Sequence, residues 1–148
     1  MRHIAIAALG LLACSHPPSR QNMAGHCYAI VWSDATWAQA LPDTILLDST
    51  ADSSLAAALP GLHSIRERSR PPSGRLAQFQ YVGWGESRDG TLLMLGGSST
   101  RAWTARLMPT SDSLAGLVTG RALQAKSADS STFRAHAHRV TCSAAAGA

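Results

Sequence analysis

Cys27-Tyr28-Ala29-Ile30-Val31-Trp32-Ser33 is the stretch from which the fold of this chain is read. β-Branched and aromatic residues fill it, and no glycine or proline interrupts it, so it reads as a strand. Side chains alternate sides along a strand. Tyr28, Ile30 and Trp32 therefore share one face, and Cys27, Ala29 and Val31 the other. A strand with one bulky apolar face needs partners to cover it, and the rest of the chain supplies them.

Downstream, Pro42-Asp43 introduces a short second strand, Thr44-Ile45-Leu46-Leu47. Asp52 or Ser53 can cap one or two helical turns through Leu55-Ala56-Ala57-Ala58-Leu59, ended by Pro60-Gly61. This is the one helix expected. Ile65 to Arg75 reads as an arginine-rich loop containing Pro71-Pro72. Ala77 to Trp84 alternates Phe79 and Tyr81 against Gln78 and Gln80, the pattern of a half-buried strand. Arg88-Asp89-Gly90 provides a turn before Thr91-Leu92-Leu93-Met94-Leu95, and Gly96-Gly97-Ser98-Ser99 ends that strand. Arg101 to Met108 follows, with Trp103, Ala105 and Leu107 on one face. Pro109 to Asp112 connects it to Leu114–Gln124, Ser127 to Ser131 turns again, and Phe133 to Cys142 is the last strand. Some seven or eight short strands with turns between them give the expected class. It is mainly β: an antiparallel meander closed as a small barrel or folded as a sandwich, with one short helix.

Upstream of the first strand the chain changes character. Met1-Arg2-His3 is charged, Ile4 to Ala13 is apolar, and Cys14 follows. That is the order of a secretory signal. A run of about ten apolar residues is too short to span a bilayer core, which takes roughly 20. Leu11-Leu12-Ala13-Cys14 resembles the bacterial lipobox, although Leu12 is bulkier than the residue usual there. The resemblance implies that Cys14 carries acyl chains, which would fix the protein to a membrane. With Ser15 rather than an aspartate next, it also resembles lipoproteins sent to the outer membrane. The plainer alternative is an ordinary exported protein cut near Ala13, with Cys14 incidental. The expected organisation is a signal over residues 1–13, a tether over 14–26, a β-domain over 27–142 and a tail over 143–148. The tether reading rests on Pro17-Pro18 and the absence of apolar periodicity.

Export also bears on the other cysteines. If Cys14 is acylated, Cys27 and Cys142 remain as an even pair in an oxidising compartment, and a disulfide between them is expected. It would join the first strand to the last, at the seam where a meander meets itself.

Of 148 residues, 135 remain after residue 13, enough for one domain with a real core. Thirteen Lys and Arg against nine Asp and Glu give a formal charge of +4, and Lys126 is the only lysine. The concentrated basic face with exposed aromatics that marks a nucleic-acid binder is missing from the sequence pattern, so no nucleic-acid partner is expected. Neither a phosphate loop, a dinucleotide fingerprint nor Gly-x-Ser-x-Gly occurs. No cofactor is expected.

Cys27-Tyr28, Pro42 before Ile45-Leu46-Leu47, Trp84, Asp112-Ser113-Leu114-Ala115-Gly116 and Arg139-Val140-Thr141-Cys142 together resemble a group of small exported bacterial β-domain proteins. These motifs are structural, and the resemblance implies no activity. The general shape is also similar to lipocalin-like barrels, but their Gly-x-Trp is not matched at Trp32, which Ile30-Val31 precede.

Three constellations carry possible chemistry. Ile45-Leu46-Leu47-Asp48-Ser49-Thr50-Ala51 resembles the active-site segment of retroviral-type aspartic proteases, which implies an Asp48 paired with its twin across a dimer. Thr50 stands where that pattern needs glycine, and the plainer reading is a strand running into a polar turn. His136 and His138 share one face of the last strand and would offer two imidazoles to zinc, with His63, Asp48 or Glu86 as the third ligand. Phe133, Ala135 and Ala137 take the opposite face, so the plainer reading has both histidines in solvent. Val140 and Cys142 share the histidines' parity, which a bulge near His138 would reconcile. Arg66, Arg68, Arg70 and Arg75 form the densest charge and would suit lipid headgroups, lipopolysaccharide phosphates or an acidic partner. Their plainer reading is a solvated loop partly offset by Glu67. Trp32, Trp37, Trp84 and Trp103 belong to the core and its rim, or line a pocket for an apolar molecule if a barrel stands open.

The expectation that follows is a non-enzymatic, monomeric, lipid-anchored envelope domain. It would be held to the membrane through Cys14 and would meet an envelope protein or a small apolar ligand. The competing class is a hydrolase that uses Asp48 in a dimer or a His136/His138 metal site.

Overall fold

In the computed structural model, which describes residues 22–69, 73–123 and 129–142, eight antiparallel strands follow one another around a closed ring. They are β1 (Cys27–Trp32), β2 (Thr44–Leu47), β3 (His63–Glu67), β4 (Tyr81–Glu86), β5 (Leu92–Gly97), β6 (Arg101–Pro109), β7 (Ser113–Ala122) and β8 (Ser130–Val140). β8 returns to β1 in continuous register, from Cys27 opposite Val140 to Trp32 opposite Ala135. The sheet is therefore a barrel and not a sandwich, and it has no free edge. Cys14 with the apolar run before it, Arg70 and the residues after Cys142 lie outside the described residues.

Alternation places the core. Tyr28, Ile30 and Trp32 point inward from β1, as do Ile45 and Leu47 from β2, and Leu92 and Met94 from β5. Trp103, Ala105 and Leu107 from β6, Leu114 and Val118 from β7, and Phe133, Ala135 and Ala137 from β8 complete one continuous cluster. An apolar inside with arginines outside is the reverse of a membrane-spanning barrel, which is apolar outside and polar within. Among the described residues no helix is long and apolar enough to cross a membrane.

Two short helices interrupt the meander where one was expected. α2 (Ser53–Ala58) is the expected one, and the Asp52 carboxylate caps it by accepting from the Leu55 N–H at 2.8 Å. Leu55 packs onto Gly83 of β4 from outside the barrel; a Cβ on that glycine would stand 3.0 Å from the Leu55 methyl. α1 (Ala35–Ala40) was not expected. Asp34 caps it, accepting from Thr36 N at 2.9 Å and Trp37 N at 3.0 Å, and Trp37, Ala40 and Leu41 are buried. α1 closes the end of the barrel at which β1 finishes. The Arg75 guanidinium donates to the carbonyls of Ala38 and Leu41, at 3.2 and 3.0 Å, and ties the helix down.

Other local expectations shift. His63–Glu67 lies in β3, overlapping the stretch expected to be a loop. Its only large apolar residue is Ile65, and the neighbours that point inward, His63 and Glu67, are polar, so the alternation is hard to see. Conversely, Arg75–Gln78 is a 3-10 turn, and β4 starts only at Tyr81; Phe79 is buried from the connecting segment. No bulge occurs near His138, because both neighbours of β8 keep one register throughout. Val140 stays on the outward side, opposite Cys27. The last strand ends there, two residues before Cys142.

Packing also starts earlier than the first strand. Met23 is 1% exposed and belongs to the core cluster, entering from the end at which β1 begins. Gly25 N–H donates to the Leu47 carbonyl at 2.7 Å, so residues expected at the end of the tether extend the β1–β2 pairing. Cys27 and Cys142 form a disulfide at the same end, with Cα atoms 5.2 Å apart.

Candidate functional site

The described arginines of the cluster read from the sequence are engaged in different ways. Arg66, on the outward side of β3, pairs with Asp48 at 2.6 Å. Arg75 is turned onto the α1 carbonyls. Arg68 is half-buried, and its Nε has no hydrogen-bond partner. Arg70 lies outside the described residues. Of the described arginines of this cluster, one is thus held by a carboxylate and another by backbone.

Asp48 is likewise engaged. Besides Arg66, its carboxylate accepts from the Ser49 N–H at 2.9 Å, and its carbonyl accepts from the Trp84 indole at 2.9 Å. This is the polar turn after a strand, with the side chain held by a cation instead of facing a second carboxylate. His136 and His138 are exposed on the outer wall. Their cross-strand neighbours are Val31 and Ala115 for His136, and Ala29 and Ser113 for His138. Among the described residues no group of three His, Cys, Asp or Glu is placed to hold a metal ion.

Inside, side chains occupy the space an apolar cargo would need. Trp103 meets Trp32 edge-on at 6.2 Å and Phe79 at 6.3 Å, and Met94 and Leu107 join the same cluster. Three indoles have partners: Trp32 donates to the Pro42 carbonyl at 2.9 Å, Trp37 to Ser131 Oγ at 3.0 Å, and Trp84 to Asp48. The buried Trp103 N–H has none. At the disulfide end, burial pushes the Tyr28 hydroxyl pKa up, with Arg139 lowering it and Glu86 raising it. Arg139 also contacts the His26 ring, 2.7 Å from Nδ1; burial and then the guanidinium lower that imidazole's pKa.

The outer wall is organised differently. Inward residues of β5–β8 and β1 are core, so their outward neighbours form a second set, which the register arranges in rows. Leu93 lies opposite Arg106, Arg106 opposite Leu117, and Leu117 opposite Arg134. The next row runs Met108, Ala115, His136, Val31. Val31 is 64% exposed, Met108 57%, Leu117 55% and Leu93 41%. Among the described residues, Leu123 is the one exposed large hydrophobic residue that falls elsewhere. Arg106, Arg121 and Arg134 share the wall, and no Asp or Glu points outward from these five strands. Where small side chains lie at its centre, the wall sinks into a groove of about 570 Å³ between Val31, Leu117, Arg134 and His136. Gly116 also lines it through its backbone, and a Cβ there would collide with the Arg106 carbonyl oxygen, so this position takes no side chain.

This wall was not singled out from the sequence. Its signal is the outward half of the same alternation that marks the core: Val31, Arg106 and Met108, Leu117, Arg134 and His136. What alternation alone withholds is which strands lie side by side. No protein-family model, curated protein or solved structure matches the chain.

Proposed function

We propose that this protein is a lipid-anchored domain of the bacterial envelope that works by binding through its outer wall. The observation that carries the reading is the β5–β8/β1 wall, where exposed apolar residues and arginines without carboxylates surround a shallow groove. Large exposed apolar groups concentrated on one face mark an interaction surface. The packed interior favours contact at the wall over carriage of an apolar ligand within it. The engaged Asp48 and the alanine and valine neighbours of His136 favour binding over hydrolysis. Attachment rests on the lipobox resemblance of Leu11-Leu12-Ala13-Cys14.

Two measurements test the two halves. The intact mass of membrane-extracted protein should carry acyl chains that a Cys14→Ser variant lacks; an unacylated wild type removes the anchor. A photo-crosslinking side chain installed at Leu117 should give adducts in cells, and one at Ala57, on α2 across the barrel, should not. Equal capture at both positions would reject the wall as the working surface.

A further inference from the structure

We infer that the β5–β8/β1 wall docks on an anionic lipid surface through phosphate headgroups, so that the barrel lies with this side against the membrane. The inference rests on the wall reading above and names its partner.

Apolar and cationic side chains alternate across the strands of this wall. Neighbouring strands lie about 4.8 Å apart, so Leu93, Arg106, Leu117 and Arg134 form a row roughly 15 Å long in which apolar and cationic groups take turns. The row follows the curve of the closed barrel, so Arg106, Leu117 and Arg134 at its centre meet a flat surface together, and at the boundary between headgroups and acyl chains both kinds of side chain are satisfied there. Apolar groups enter the acyl edge, while guanidinium forks pair with phosphate oxygens. A continuous apolar patch would suit a protein partner better, because alternate arginines would be buried there without partners.

The charge of the wall has one sign. Arg106, Arg121 and Arg134 face outward with His136 and His138, and the nearest acidic residues by position, Asp112 and Asp129, sit in the connections at the two ends of the barrel. A second copy docked symmetrically on this wall would set arginine against arginine. An anionic surface attracts all of them together.

The chain enters the barrel at this wall. Cys27 begins β1, which borders β8 in the same wall. Seven residues lie between Cys14 and Asn22, eight steps along the chain. They can span at most about 28 Å when fully extended. An acylated Cys14 therefore holds the barrel within reach of the surface.

The test uses the purified, unacylated Cys14→Ser chain, so that attachment cannot substitute for docking. Its sedimentation with vesicles of phosphatidylglycerol in phosphatidylcholine is compared with phosphatidylcholine alone. Binding should need phosphatidylglycerol and should fall as salt is raised. Removing one wall arginine should weaken it roughly five-fold, and R106E with R134E by more than about 25-fold. Arg106→Gln with Arg134→Gln gives a milder version should the reversal disturb folding. Leu117→Ser should also weaken binding, and Arg66→Glu, on the opposite side, should leave it unchanged. Equal sedimentation with both vesicles, or full binding by R106E/R134E, overturns the inference. So does capture of an acidic protein at Leu117 with no vesicle binding, which would leave the wall reading standing. Loss of acylation shows separately in the intact mass.

Discussion

Trp37 of α1 lies nearly parallel to Phe133 of β8, ring centroids 6.1 Å apart and planes 19° from one another. The indole also donates to Ser131 Oγ, which fixes its plane against the end of the barrel. Gly120 of β7 makes the space: a Cβ built there would stand 2.1 Å from the indole. Gly120→Ala should therefore push the plug off its seat and cost about 1–3 kcal/mol. Thermal unfolding of the variant checks this, and an unchanged midpoint would mean the helix yields freely.

Cys27 and Cys142 bracket a loop with a sequence separation of 115 residues. In the chain-entropy account, opening a loop that long forfeits up to about 4–5 kcal/mol. The Cys27→Ser/Cys142→Ser chain should unfold at much lower urea than the oxidised protein. Matching midpoints would show that β1–β8 pairing alone closes the barrel.

Trp32 and Trp103 offer a matched pair. Trp32→Phe strips the buried Pro42 carbonyl of its donor, whereas Trp103→Phe removes an N–H that has no partner. An unsatisfied buried group costs about 1–3 kcal/mol, so Trp32→Phe should be the more destabilising of the two by about that amount. Urea titration of both variants decides it; equal losses would point to ring packing alone.

Asp52 predicts an acid response. The Leu55 N–H, and after it the Ser54 hydroxyl, hold its carboxyl pKa below the ordinary value of 3.8. A carboxyl lowered by folding contributes stability above its unfolded pKa and loses it as pH falls through the folded one. At neutral pH Asp52→Ala should cost about 0.5–2 kcal/mol, the range for losing an N-cap. The gap from wild type should narrow only below about pH 4. A gap that stays constant to pH 2 would place the effect outside the carboxylate.

Most of the barrel was legible where one strand face is apolar and the other polar. β1, β2, β6 and β8 follow directly from residues such as Ile30, Leu47, Trp103 and Phe133. β3 was not, because His63 and Glu67 point inward near the ends of the barrel, where polar groups are tolerated. α1 was missed because a six-residue helix depends on its Asp34 cap and on Trp37 finding Phe133, a contact 96 residues away in sequence. The site followed the same rule. Arg66 and Arg75 looked like a cluster because they are close in sequence, and tertiary contacts claimed both. Arg106 and Arg134 are far apart in sequence, and only the register places them on either side of Leu117.

The bond between Cys27 and Cys142 also sets a route for force. Tension applied between residues before Cys27 and residues after Cys142 passes through two sulfur atoms and bypasses the strands between them. A pull on the chain from both ends has first to draw Met23 out of the core and Gly25 off Leu47; after that the disulfide bears the tension and the strands between its two cysteines keep their shape.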